Sequence, residues 1–289
     1  MNTKLSGNLI IIGGAEDKEG KKEILNRVCD CINKDNDTLI VATVATKYPE
    51  EAARKYKKAF GEIGVKHIEI LDISKRKDAY KKENISLIKK ASLIFFTGGD
   101  QLKITSLLGG SPIYSALKEI CDKGIYIVGT SAGASVMSDT MIIDGSNKEA
   151  PKKCTLEMSP GLGIIKNVII DQHFDQRGRI GRLLSGVAQN PEILGIGIDE
   201  NTAIVVNKEG EILVIGEGAV YFINGSEISY TNVSEQNSEE VLSIYNVKLH
   251  VLKNGNRFSL VKKEPFEEEI LENEDKKSKN IWRKEYIFS

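Results

Sequence analysis

The stretch Ile125-Tyr126-Ile127-Val128-Gly129-Thr130-Ser131-Ala132-Gly133-Ala134 decides the fold. A run rich in β-branched and aromatic residues, the composition of a buried strand, meets a serine flanked by small residues. Residues 134–138 fit the helix that follows. Gly-x-Ser-x-Gly between a strand and a helix is the pattern of a nucleophile elbow, because side chains at the flanking positions of so sharp a turn would collide. The turn lifts the Ser131 hydroxyl out of the sheet, and the amide of Ala132 then points to where an oxyanion would form. The competing reading is a glycine-rich turn carrying a surface serine.

Outward from the elbow, apolar runs alternate with helical patterns, which predicts an α/β fold with a mostly parallel sheet flanked by helices. Strands are expected at 9–12, 38–43, 66–71, 92–97, 125–130, 167–171 and 195–198. Helices are expected around Ile24, Leu25, Val28 and Ile32, over 50–63, and after the capping pair Ser111-Pro112. Residues 141–160 read as an exposed loop with a short strand. Beyond Thr202, turn signals such as Asn224-Gly225 predict antiparallel hairpins added to the parallel core. The expected organisation is one domain over 1–263 and a charged tail over 264–289, with no internal repeat.

The totals exclude several classes of function. With 40 basic and 41 acidic residues the net charge is −1, so no global field draws the chain to nucleic acid or to an anionic membrane. The first apolar run is too short for a signal-peptide core, and no stretch approaches a membrane span, so a cytoplasmic location is expected. The four cysteines, Cys29, Cys31, Cys121 and Cys154, show neither zinc spacing nor a disulfide framework.

Four apolar runs end in polar or glycine clusters: Gly98-Gly99-Asp100-Gln101, Ser131, Asp171-Gln172-His173 and Asp199-Glu200. Ligands of open parallel sheets bind outside the carboxyl ends of the strands, so four distant segments can meet at one site. A nucleophilic serine needs a base, and the chain has three histidines. His67 lies mid-strand, and His250 lies on the polar parity of an alternating strand. His173 sits just past a strand end, which makes it the candidate. A carboxylate must then orient the imidazole. Asp199 and Glu200 both qualify by position, and strand alternation puts them on opposite faces, so one of the two can serve. Arg177, Arg179 and Arg182 follow the candidate base. Guanidinium groups bind carboxylates as a fork, so these arginines predict an anionic ligand, against the plainer reading of a solvated helix face.

Taken together, these segments resemble the cyanophycinase family, a relative of peptidase E with the class I glutamine amidotransferase-like fold. The resemblance rests on Gly13-Gly14-Ala15-Glu16-Asp17, Phe96-Thr97-Gly98-Gly99-Asp100-Gln101, Gly129-Thr130-Ser131-Ala132-Gly133-Ala134, Asp171-Gln172-His173-Phe174 with the spaced arginines, and Gly197-Ile198-Asp199-Glu200-Asn201-Thr202-Ala203. It implies a serine exopeptidase acting on cyanophycin, a polyaspartate with arginine on each β-carboxyl, and releasing β-Asp-Arg dipeptides. It implies a Ser131, His173 and Glu200 triad, and a substrate pocket of Gln101, Asp171, Gln172, Arg177, Arg179 and Arg182. It also suggests a homodimer. By their places in the turns, the amides of Gly99 and Ala132 would form an oxyanion hole, with the helix after Ser131 adding its dipole. The chemistry requires no metal or organic cofactor. The alternatives are a peptidase E-like aspartyl dipeptidase and a non-catalytic binding protein on the same fold.

Overall fold

A computed structural model describes residues 7–152, 156–235, 237 and 240–267. In chain order the strands are β1 (Leu9–Ile12), β2 (Thr38–Ala42), β3 (His67–Leu71), β4 (Leu93–Phe96), β5 (Tyr126–Thr130), β6 (Thr140–Gly145), β7 (Leu156–Pro160), β8 (Val168–Gln172) and β9 (Leu194–Ile198). They continue as β10 (Thr202–Val206), β11 (Glu211–Gly216), β12 (Ala219–Asn224), β13 (Tyr230–Thr231), β14 (Ile244–Tyr245), β15 (Lys248–Lys253), β16 (Arg257–Ser259) and β17 (Glu264–Phe266). The helices are α1 (Glu23–Cys29), α2 (Pro49–Ile63), α3 (Lys82–Lys89), α4 (Gln101–Leu108), α5 (Pro112–Asp122), α6 (Ala132–Ser135) and α7 (Ile180–Gln189).

Nine strands form the main sheet in the order β17-β16-β11-β10-β1-β5-β4-β2-β3. The pairs from β1 through β5, β4 and β2 to β3 are parallel, and those from β1 outward to β17 are antiparallel. The mixed layout follows from burial. The central strands β1, β4 and β5 are buried at every position, as strands covered on both faces must be. The edge strand β3 alternates exposed and covered residues and leaves His67 exposed.

One expectation is corrected here. β8 and β9, which carry the candidate base and acid, do not join the main sheet. They form a second sheet in the order β15-β12-β9-β8. The place beside β1 is taken by β10, which pairs with it antiparallel over four residues. The second sheet packs one face on the main sheet, where Ile196, Ile198, Val220 and Phe222 share a core with Leu9, Ile11, Ile204 and Val206. Its other face is covered by α7 through Leu183 and Val187. The opposite face of the main sheet is covered by α1 and α2, with Ile24, Leu25, Tyr56 and Phe60 against Ile10, Val41 and Val128.

Smaller differences have local causes. Residues 141–160 hold the β6–β7 hairpin rather than mostly loop. On β15 the parity is the reverse of that expected. His250 turns inward toward Phe258, with ring centroids 5.9 Å apart, while Leu249 and Val251 are exposed. Pairing with β12 sets that register, and it places Leu252 in the core. Glu264–Phe266, expected to begin the tail, is the edge strand of the main sheet; residues 268–289 lie outside the described chain. Cys29, Cys31 and Cys121 are free, and burial pushes their thiols up to about 12, 11 and 11, which leaves them unreactive; Cys154 lies outside the described residues. Among the described residues no helix is long and apolar enough to cross a membrane.

Candidate active site

Ser131 stands at the end of β5 with φ 54 and ψ −116, a backbone region that a residue with a side chain seldom adopts. Such a conformation costs on the order of 1–3 kcal/mol and persists only where neighbours over-determine it. Here the Ser131 amide donates to the Ile12 carbonyl at 3.1 Å. The two glycines of the motif let strand and helix close up. A β-carbon on Gly129 would lie 2.2 Å from the Gly133 carbonyl oxygen, and one on Gly133 would lie 2.4 Å from that of Phe96.

The helix after the elbow is shorter than expected. α6 ends at Ser135, because the following backbone is claimed by a turn: Leu162 and Ile164 donate to the carbonyls of Val136 and Met137. One turn of aligned peptides makes little macrodipole, so the expected dipole contribution falls away.

The candidate base comes from the second sheet. His173 follows β8 with φ 47, and its amide donates to the Gly13 carbonyl at 2.8 Å. Its Nε2 lies 3.0 Å from Ser131 Oγ, and its Nδ1 lies 2.5 Å from Glu200 Oε1. With the imidazole neutral, Nδ1–H donates to Glu200, and the Nε2 lone pair accepts from the serine hydroxyl. Burial holds the His173 pKa below its usual value, outweighing the opposing hydrogen bond that the ring donates to Glu200; the cationic Arg177 and Arg179 push in the same direction as burial. A ring kept neutral is ready to take a proton.

The geometry separates the two carboxylates that the sequence left open. Glu200 reaches the imidazole, while its own amide donates to Gln176 Oε1 at 2.9 Å. Asp199 turns the other way and accepts from the amides of Asp175 and Ala219 at 3.0 and 2.9 Å, so it braces the loop that carries His173. Ser131 Oγ also has Gln172 Oε1 at 3.5 Å.

Gly98 borders the nucleophile, since a β-carbon there would sit 3.2 Å from that of Ser131. Gly99, at φ +145, packs against the Ala45 carbonyl, and the Asp100 amide donates to the same oxygen at 3.0 Å. Gln101 opens α4 and donates from Nε2 to the carbonyls of Ile142 and Ile143 at 3.0 and 3.1 Å.

The arginines depart from expectation. Arg182 grips buried Asp171 as a fork, Nε to Oδ2 at 2.6 Å and Nη2 to Oδ1 at 2.5 Å. Arg179 adds Nη1 to Asp171 Oδ1 at 3.2 Å and to the Gln172 carbonyl at 2.5 Å, with Nε on Asn147 Oδ1 at 3.2 Å. All three are nearly inaccessible, at 1, 5 and 6% exposure for Asp171, Arg182 and Arg179. The anionic partner predicted by the fork is thus Asp171 of the chain itself, and of the three arginines Arg177 is the exposed one. The physical cause is position. Arg179 and Arg182 sit at the amino end of α7, where a cation is disfavoured unless an anion is close. Burial lowers the Arg179 pKa to about 10, against the pull of Asp171.

Two contributors carried no signal of their own. Gln176 holds the acid through its backbone. Gly14 makes room for the base: at φ +104, its missing β-carbon would lie 2.4 and 2.5 Å from His173 Cε1 and Nε2. The double glycine after β1 marked a turn, but its partner lies 159 residues away and no local pattern names it. Among the described residues no group of three or more His, Cys, Asp or Glu side chains could hold a metal.

A serine hydroxyl, an imidazole and a carboxylate in series, on a strand–turn–helix elbow within an α/β sheet, define the class of serine hydrolases. The chain belongs to peptidase family S51, whose family profile matches residues 9–215. It is 39% identical over 260 residues to the cyanophycinase of Geminocystis herdmanii, covering 90% of this chain and 96% of that one. It is 37% identical over 255 residues to the cyanophycinase of Synechococcus elongatus, covering 88% and 79%. Among solved structures it is similar in fold to a peptidase from an acI-B1 Actinobacterium, with a TM-score of 0.64, 21% identity, and coverage of 89% and 98%.

Proposed function

We propose that the protein is a cyanophycinase, a serine exopeptidase that hydrolyses cyanophycin to β-Asp-Arg dipeptides through an acyl-enzyme on Ser131. The observation that carries the reading is the pair of contacts on one imidazole, 3.0 Å to Ser131 Oγ and 2.5 Å to Glu200 Oε1. His173 takes the hydroxyl proton as Oγ attacks a backbone carbonyl of the polymer, and returns it to the leaving amine. Water then enters by the same route, is deprotonated by His173 and hydrolyses the acyl-enzyme, restoring the Ser131 hydroxyl. Glu200 holds the imidazole in the reactive tautomer and stabilises the imidazolium.

The amides of Gly99 and Ala132 receive the oxyanion, each such donor contributing about 3 kcal/mol to the transition state. Arg177 holds a substrate carboxylate, and Gln101 and Gln172 offer their remaining polar atoms to the substrate. Asp171, Arg179 and Arg182 belong to the same pocket as its buried charged wall, which supports Gln172 from behind. The reading includes one peptidase domain that runs through the edge strand Glu264–Phe266 rather than ending at 263, a cytoplasmic location, and a homodimer, the last supported by the family resemblance.

Mass spectrometry of the products released from purified cyanophycin tests it, with Ser131→Ala as the control. The β-Asp-Arg dipeptide should form with the native chain and not with the variant. Faster cleavage of simple Asp-X dipeptides than of cyanophycin would move the assignment to an aspartyl dipeptidase. Dipeptide release by the Ser131→Ala variant at the native rate would remove the serine mechanism altogether.

A further inference from the structure

Behind the elbow, between β5 and α2, lies a buried charged residue that the mechanism above does not use. Glu16 is 3% exposed. Its Oε2 accepts from the hydroxyl of Thr130, the residue immediately before the nucleophile, at 2.5 Å. Its Oε1 accepts from the phenol of Tyr56 on α2 at 2.5 Å, and Lys18 Nζ lies 2.9 Å from the same oxygen. Thr130 and Tyr56 are both buried, at 2 and 6%. Burial and the neighbouring carboxylate hold the Tyr56 pKa well above its usual value, so the phenol remains a donor.

The same short turn also grips the other half of the site. The Gly13 carbonyl accepts from the His173 amide at 2.8 Å, and the Gly13 amide donates to the Thr202 carbonyl at 2.9 Å. The Gly14 carbonyl accepts from the Asn201 amide at 2.9 Å, and the Asp17 amide donates to Asn201 Oδ1 at 3.0 Å. Residues 13–17 are therefore bonded through Gly13, Gly14 and Asp17 to the loop of the base and the segment after the acid, and through Glu16 to the strand of the nucleophile. Serine and histidine stand on different sheets, so their separation is set by whatever ties the two sheets together at that rim.

We propose that Glu16 is a positioning residue for the reaction, its carboxylate fixing Thr130, and with it the Ser131 elbow, to the turn that carries the base. A carboxylate suits this task because it accepts two directed hydrogen bonds at once, and charge-assisted bonds resist displacement. Glutamine at this position keeps the volume but presents an N–H to one of the two hydroxyls, which must turn to accept, so the charge-assisted pair is replaced by weaker neutral bonds in a changed geometry. Valine at position 130 keeps the shape of threonine and removes the anchor from the other side.

This inference rests on the catalytic reading of Ser131, and the experiment keeps the two apart. Full-length Glu16→Gln, Thr130→Val, Thr130→Ser and Ser131→Ala are compared for steady-state cleavage of cyanophycin fragments, for the rate of labelling by a serine-reactive phosphonate, and for Tm. Thr130→Val and Glu16→Gln should each lower kcat and the labelling rate at least tenfold with KM within twofold. Thr130→Ser, which keeps the hydroxyl, should stay within threefold of the native chain in both.

Native kcat in Thr130→Val would overturn the proposal. So would a Thr130→Ser loss as large as that of Thr130→Val, since side-chain size rather than the hydroxyl would then be at work. Should Glu16→Gln fail to fold, the valine and serine pair decides alone. Turnover by Ser131→Ala at the native rate would instead sink the catalytic reading, whatever the Glu16 result.

Discussion

Replacing Gly14 by alanine adds one methyl group, and the structure says what that group meets. The new β-carbon would lie 2.4 Å from Cε1 and 2.5 Å from Nε2 of His173, whereas ordinary contact begins at 3.4 Å. The imidazole must therefore retreat by 1.0 Å, the difference between 3.4 and 2.4 Å. It is held at both ends, 3.0 Å from Ser131 Oγ and 2.5 Å from Glu200 Oε1, so a shift of that size breaks at least one of the two contacts. A misplacement of about 1 Å in a reacting group costs on the order of 10²-fold in rate, which is about 2.7 kcal/mol. The stability cost is smaller. A side-chain end can move, so what remains is the strain of alanine at φ +104, roughly 1–2 kcal/mol. Gly14→Ala should thus stay folded, with a modest fall in Tm, while kcat/KM on cyanophycin and phosphonate labelling of Ser131 drop together about 100-fold. A variant that keeps kcat/KM within threefold of native would show that the imidazole need not stand where this turn puts it, and the spatial argument for the base would fail.

The remaining predictions concern the groups around the imidazole. Glu200→Gln should reduce kcat by several orders of magnitude with little change in Tm, whereas Asp199→Asn should act on Tm first, because Asp199 braces two backbone amides; steady-state kinetics beside thermal melts would distinguish them. Arg182→Ala removes the fork from buried Asp171 and should destabilise the fold by about 3 kcal/mol, the lower end of the range for breaking a buried pair because Arg179 remains, and urea denaturation would measure it. Arg177→Ala removes a cation that disfavours protonated His173, so its pKa should rise. The acid limb of the phosphonate-labelling profile, present where the imidazole is neutral and lost as pH falls through that pKa, should then move to higher pH. An unmoved or lowered limb would contradict that assignment.

Much of the site was legible residue by residue. The elbow pattern determined Ser131, because only small neighbours permit the turn, and Gly129 and Gly133 are each within 2.4 Å of backbone that a β-carbon would strike. His173 was legible from its place just past a strand end, and the pair Asp199-Glu200 from the same logic. Choosing between the two carboxylates needed the fold. Alternation says they point apart, but which side the imidazole occupies depends on β8 lying parallel beside β9.

The arginines show the opposite limit. Arg179 and Arg182 do hold a carboxylate, but it is that of Asp171, eight and eleven residues earlier, and sequence cannot tell a substrate's carboxylate from one that folds back from the chain itself.

By itself, then, the sequence determined the kinds of chemical group and the local backbone on which each sits, since periodicity, glycines and capping act over a few residues. Tertiary structure alone decided that Ser131 and His173 stand on separate sheets, and that a turn after the first strand holds them in register. Those facts depend on contacts between segments more than a hundred residues apart, such as Glu16 with Thr130 and Gly14 with His173, and short-range pattern carries no information about them.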